Sequence, residues 1–245
     1  MANQRQQVWG GGSGSTRKGE PAQGQLSFAQ RRSWGGPRIR SGRKAAKRAN
    51  VAHAKRPPHV WSFPVHVTLR RAKGLPSLRS ERIHQELRAA IRRVRRVNFR
   101  IVHYSVQRDH VHMIVEAEHA RALANGMKSF TIRAARNVNA RVLGRRGSLW
   151  GDRYHRRDLT SPREVRNCLV YVNNNHLKHH ELDAGLVDPC SSAAWFTGWM
   201  QRFDPPPEPP PTAEPETWLL ERGWKGRDGF PRYIHLGELP AALRP

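Results

Sequence analysis

The chain has 245 residues, enough for one or two domains with a sizeable core. Its formal charge of +25 and pI of about 11.6 make nucleic acid the first partner to consider. Two cysteines, Cys168 and Cys190, exclude a disulfide framework or a zinc ribbon, and no uninterrupted apolar stretch approaches membrane-spanning length.

The charge is unevenly spread. Residues 1–58 carry 13 Lys and Arg against one Glu, residues 59–200 carry 25 against 11, and residues 201–245 carry 6 against 7. The first segment starts without the apolar run of a signal peptide, so a cytoplasmic protein is expected. Its Gly/Ser stretch reads as flexible coil, and Arg38, Arg40, Arg43, Lys44, Lys47 and Arg48 form a dense basic run. Residues 1–58 are therefore expected to be a DNA-binding arm that tracks phosphates, with a solubility tail as the plainer reading.

From Val60 to Arg70 the pattern alternates. Trp61, Phe63, Val65, Val67 and Leu69 face one way, and Ser62, Pro64, His66, Thr68 and Arg70 the other, as in a strand with a polar face. After Gly74-Leu75-Pro76 the period becomes helical, with Ile83, Leu87, Ile91 and Val94 in one stripe and arginines elsewhere. Phe99 to Val106 reads as a second strand of undetermined orientation.

The third strand, Asp109 to Glu116, carries the most informative pattern. Val111, Met113 and Val115 make an apolar face, while His110, His112, Ile114 and Glu116 share the other. Two neutral imidazoles at that spacing are able to hold one divalent ion. An isolated His-x-His is more often a half-exposed strand that happens to carry histidines, so the case for a metal rests on the rest of the chain.

A long helical pattern follows, with Leu123, Met127, Phe130, Ala134, Val138 and Val142 on one side, and Leu149 to Leu159 reads as a fourth strand. Strand, helix, strand, strand, helix, strand is the ferredoxin-like α+β order, an antiparallel sheet with helices on one face and the other face open. In that topology the first and third strands are neighbours, which brings His66 near His110 and His112. Arg70, Arg153, Arg156 and Arg157 are expected to contact DNA. Ser161, Pro162 and Glu164 then open a further helix as N-cap, first position and capping-box partner. Val165, Leu169 and Val172 point inward on it, and Tyr171 and Asn175 lie one turn apart on another side. His179-His180 and Gly185 are expected to end it. Pro205 to Pro215 reads as an extended spacer and Trp218 to Trp224 as a short docking helix. The expected organisation is an arm (1–58), a main domain (59–200), a proline-rich linker (201–217) and a docking segment (218–245).

A polar His-x-His strand, a basic surface and Tyr171 with Asn175 four residues on resemble the HUH single-tyrosine transposases, most closely the REP-associated group. The matching segments are Val65-His66-Val67-Thr68-Leu69-Arg70, Asp109-His110-Val111-His112, Leu149-Trp150-Gly151-Asp152-Arg153-Tyr154 and Tyr171-Val172-Asn173-Asn174-Asn175. Ala184 to Val187 and Ser192 to Phe196 also look like the stretch after the family's catalytic helix. The resemblance covers roughly residues 37–200.

It implies cleavage and rejoining of single-stranded DNA beside hairpin elements. Tyr171 would form a covalent 5′-phosphotyrosine, with Mg²⁺ or Mn²⁺ held by His110, His112 and Asn175. His66 would stand beside the ion or act as an extra ligand. One departure is His176, where relatives usually have proline. Among the four tyrosines, Tyr233 lies past the proline spacer, Tyr104 sits on a core strand and Tyr154 suits a base-stacking role. Three other readings stay open at this point. One is a non-catalytic DNA or RNA binder using an RRM-like platform, although the first strand lacks the aromatics such a platform needs. A second is an HUH relaxase or replication initiator. The third is a degenerate family member that regulates by binding only, against which the intact His110, His112, Tyr171 and Asn175 argue.

Overall fold

The computed structural model describes residues 58–178, 183, 185–226 and 233–240. The basic run Arg38 to Arg48, His179, His180 and Ala184 lie outside them. Four strands form one antiparallel sheet in the order β2-β3-β1-β4. They are β1 (Val65–Arg70), β2 (Phe99–Val106), β3 (His110–Ala117) and β4 (His155–Asp158), with α1 (Glu81–Arg92) and α2 (Ala120–Asn137) between them. The element order and the β1–β3 pairing are those of the predicted ferredoxin-like α+β fold.

One face of the sheet follows directly from the alternation. Val65, Val67, Leu69, Val111, Met113 and Val115 are all essentially buried beneath α1 and α2, with Leu87, Phe130 and Met127 closing the layer. α1 turns Ile83, Leu87, Ala90 and Ile91 inward at helical spacing. α2 can lie this close because of Gly126. A Cβ there would sit 2.2 Å from the Phe99 ring, so no larger residue fits without moving it. Beyond Asn137 the helix widens into a π turn over Val138–Leu143 and stops at Gly144, whose φ of 58° is left-handed.

The opposite face is covered, against expectation. α3 (Pro162–Asn173) lies across it, and a second apolar cluster joins Val102 and Ile114 of the sheet to Leu169, Val172, Phe196, Trp199, Leu220, Trp224 and Ile234. A bulge between Ile101 and His103 makes this possible. It lets Ile101 join the first cluster while Val102 joins the second, which is why β2 has no clean period. The outer edge of β2 is capped by residues 190–192: Val106 N–H donates to Cys190 O, and Ser192 N–H to Tyr104 O.

Three predicted boundaries move. β1 begins at Val65, since Pro64 has no N–H for the ladder and Val60 to Phe63 form a turn closed by Phe63 N–H to Val60 O. β4 covers only His155–Asp158; Trp150 bridges Arg71, and a bend with Asp152 accepting from Arg153 N–H separates the two. The catalytic-helix candidate does not run on to Lys178. α3 stops at Asn173, and a separate short turn, α4 (Asn175–Lys178), follows Asn174. The Asn174 side chain donates to His235 O and Glu238 O, which ties the break to the C-terminal segment.

The proline-rich stretch is strapped along α1. Arg88 reaches Glu208, Arg92 donates to Pro209 O, Arg95 reaches Thr212 O, and the Arg88 guanidinium stacks on Trp195. Trp218 begins a helical turn, α5 (Trp218–Glu221), whose Thr217 cap is gripped by the buried carboxylate of Glu116 through Thr217 N–H, Thr217 Oγ1 and Glu216 N–H.

Candidate active site

The β1–β3 register places His66 opposite Ile114 and Thr68 opposite His112, so His66, Thr68, His110 and His112 share one face. The rings of His110 and His112 lie 4.6 Å apart at 86°, and those of His66 and His112 stack at 5.2 Å. His66 Nε2 is 3.2 Å from His112 Nδ1, which is also 3.2 Å from Thr68 Oγ1. On the other side of the same ring, His112 Nε2 is 3.3 Å from the Tyr171 hydroxyl. His110 Nδ1 is 2.6 Å from Asp109 Oδ1, a contact that fixes the ring's orientation.

α3 carries the tyrosine here for a local reason. Ser161 caps the helix by accepting from Glu164 N–H, Pro162 occupies the first turn, and Glu164 reaches back to Thr160 N–H, one residue further than the expected capping box. Val165, Leu169 and Val172 then anchor the helix in the second cluster, leaving Tyr171 half-buried at its rim.

Burial shapes the site's protonation. It pushes His66 down to about 4, helped by the neighbouring His155 and Arg157, so this imidazole is neutral at pH 7. Burial likewise lowers His110, with Arg70 and Lys178 acting the same way and the Asp109 hydrogen bond opposing. Tyr171 is raised by burial, with Arg70 pulling against it, so its hydroxyl is protonated at neutral pH. Neutral imidazoles are the form that ligates metals.

The four site residues His66, His110, His112 and Tyr171 therefore come together. Asn175 is fully buried just past the helix break, and neither of its amide atoms has a hydrogen-bond partner. His176 is also fully buried. Among the described residues no group of three or more His, Cys, Asp or Glu could hold a metal ion.

The basic residues divide. The Arg70 and Arg157 side chains are 73% and 63% exposed beside the site. Arg156 is turned away and buried in an ion pair with Asp158, at 2.6 Å. Tyr154 packs against the helix-side core, on the opposite face from His110 and His112. Thr68, His155 and Lys178 also stand at the site, although they were not among the expected site residues. Thr68 was legible from its i+2 spacing to His66; His155 and Lys178 reach the site only through the β1–β4 pairing and the turn after α3.

Residues 59–175 match the family model described as transposase, IS200 like. This segment, a little under half of the chain, is similar to the IS200-like transposases. A solved REP-associated tyrosine transposase bound to a REP hairpin is similar in structure, with 19% identity, a TM-score of 0.45, and coverage of 54% of this chain and 76% of that one. No curated protein matches the chain. The family segment contains β1 to β4, α3 and every histidine and tyrosine of the site just described. It ends at Asn175. No helix among the described residues is long and apolar enough to cross a membrane.

Proposed function

We propose that this chain is an IS200-like transposase, a metal-dependent single-stranded DNA endonuclease and strand transferase acting beside hairpin elements through Tyr171. The observation that carries the reading is the Tyr171 hydroxyl, 3.3 Å from His112 Nε2 on the face that also holds His110 and His66. His110, His112 and Asn175 would hold Mg²⁺ or Mn²⁺. His110, whose pKa burial lowers, the adjoining His112 ring and a buried amide with no internal partner offer donors to such an ion, and its remaining positions are left for water and phosphate oxygens. When bound, the ion supplies charge for the scissile phosphate and fixes its orientation.

The protein's own part is nucleophile and positioning. Tyr171 Oη forms a bond to phosphorus as the bond from phosphorus to the 3′-oxygen breaks. The 3′-oxygen leaves as a hydroxyl, and the DNA 5′ end stays on the enzyme as a phosphotyrosine. Rejoining reverses the step with another 3′-hydroxyl, so no nucleotide cofactor is consumed. His66 and Thr68 hold the far side of the His112 ring, and Arg70, Arg157 and Lys178 attract the DNA strand.

The test is incubation with hairpin-forming strands and Mg²⁺ or Mn²⁺, followed by denaturing electrophoresis. A covalent adduct that requires the divalent ion is expected; full adduct formation in excess chelator would overturn the reading. The arm of residues 1–58 adds phosphate contacts without chemistry, in our reading. Removing it should weaken binding and flatten its salt dependence, and an unchanged salt slope would make it a solubility tail.

A further inference from the structure

We propose that a groove on the helix side of edge strand β4 binds an unpaired nucleobase, and that single-stranded DNA crosses β4 between this groove and the tyrosine–histidine face. The inference rests on the single-stranded DNA reading above and adds a second contact site to it. The groove has a volume of about 660 Å³, within the range of small-molecule sites, and is walled by α2 on one side and by Trp150 to Tyr154 on the other.

Its chemistry suits a base attached to phosphate. Trp150 is held rigidly: its indole N–H donates to Thr131 O at 3.1 Å, and its ring lies 6.0 Å from that of Phe130. Tyr154 packs on the same core and, like Trp150, keeps part of its surface at the groove. Aromatic faces set into a basic wall are the usual platform for an unstacked base, because every base offers a π-face. Lys128 and Arg153 supply positive charge against the single acidic lining residue, Asp152. Arg153 Nε is buried without a hydrogen-bond partner, a donor in want of an acceptor such as a base carbonyl or a phosphate oxygen.

The path to the site is set by strand geometry. His155 lies opposite Thr68 and Arg157 opposite His66, so both belong to the tyrosine–histidine face. Tyr154 and Arg156 alternate with them and line the groove. β4 is the last strand of the sheet, so a DNA strand passing its outer edge meets the groove on one side and the histidines on the other. One strand's thickness thus separates base recognition from the tyrosine.

The experiment uses the full chain and random-sequence single-stranded DNA carrying 5-iododeoxyuridine, cross-linked by light and mapped by peptide mass. Cross-links to the peptide bearing Trp150 and Tyr154 are expected. The variant Ala124→Trp, which fills the groove from an exposed position on α2, should weaken binding roughly 5- to 150-fold, the value of one stacked base. Arg153→Gln, which leaves the groove open, should also weaken binding. Cross-links confined to β1, β3 and α3, or an Ala124→Trp variant with wild-type melting and wild-type affinity, would overturn the proposal. Adduct formation on Tyr171 in the same samples is a separate readout. An adduct without groove cross-links overturns the groove alone, while groove cross-links without any adduct support the groove and defeat the strand-transferase reading.

Discussion

The two faces of the sheet are both buried, but with opposite chemistry. Under α1 and α2 every inward residue of β1 and β3 is aliphatic or Met, and burying such side chains is worth about 1.5–3 kcal/mol each. Beneath α3 the sheet instead presents His66, His110, His112 and Glu116 around Ile114. At and just past the end of α3, Asn173 and Asn175 are almost fully buried with unpartnered side-chain atoms. A buried polar group left unpaired costs about 1–3 kcal/mol. Stability alone therefore explains the first face and works against the second, whose polar groups make sense as parts of a working site.

That contrast is broken or sharpened by substitution on each side. The largest effect is expected at Tyr171. Tyr171→Phe should eliminate the covalent adduct and change stability by no more than about 1 kcal/mol, because the hydroxyl's described partner is His112, at 3.3 Å. Gel analysis and urea unfolding check the two halves, and an adduct surviving in this variant, or mapping to Tyr154, would reassign the nucleophile. On the other face, Phe130→Ala should lower stability by roughly 3–5 kcal/mol and leave adduct formation intact at temperatures where the protein stays folded. Loss of the adduct in a folded Phe130→Ala protein would show that the faces are not separable.

A smaller effect is expected at His66, whose Nε2 braces His112 from behind. His66→Ala should weaken Mn²⁺ binding roughly 10- to 100-fold in a calorimetric titration while the fold survives. Unchanged affinity would make His66 only a buried polar residue beside the site.

How much of this was legible beforehand follows the range of the interactions. The alternation of β1 and β3, the spacing of His66, His110 and His112, and the Ser161 cap are local patterns, and the structure keeps them. The covered second face was not legible. Leu220 and Trp224 have the helical spacing of the expected docking segment, but no local pattern says that they, with Trp199 and Ile234, pack on the sheet through contacts spanning much of the chain. The break at Asn174 escaped notice for the same reason: its amide pairs with carbonyls at His235 and Glu238, far along the sequence. Tyr171 and Asn175 were expected one turn apart on a continuous helix, and the break makes their relation depend on the C-terminal segment.

The smallest expected effect tests the helix that presents Tyr171. Glu164 accepts from Thr160 N–H at 2.8 Å, the largest influence on its carboxyl, then from Arg157 Nη2 at 2.7 Å and from Thr160 Oγ1 at 2.8 Å. These contacts hold its carboxyl at about 2, below the ordinary 4.5. Because the folded value is depressed, the stabilisation is present above about 4.5 and is lost as the pH falls toward 2. Glu164→Gln should therefore be less stable than the wild type at pH 7, and the gap should close between those limits. Its size is about 1 kcal/mol, that of a cap contact with an exposed ion pair, since the Arg157 side chain is 63% exposed. Releasing Arg157 also alters the charge facing His66, so the variant should change the salt dependence of DNA binding as well. Urea unfolding of both proteins from pH 7 down to pH 2 measures the gap. A difference that stays constant across that range would mean that the Glu164 charge does not stabilise the start of α3.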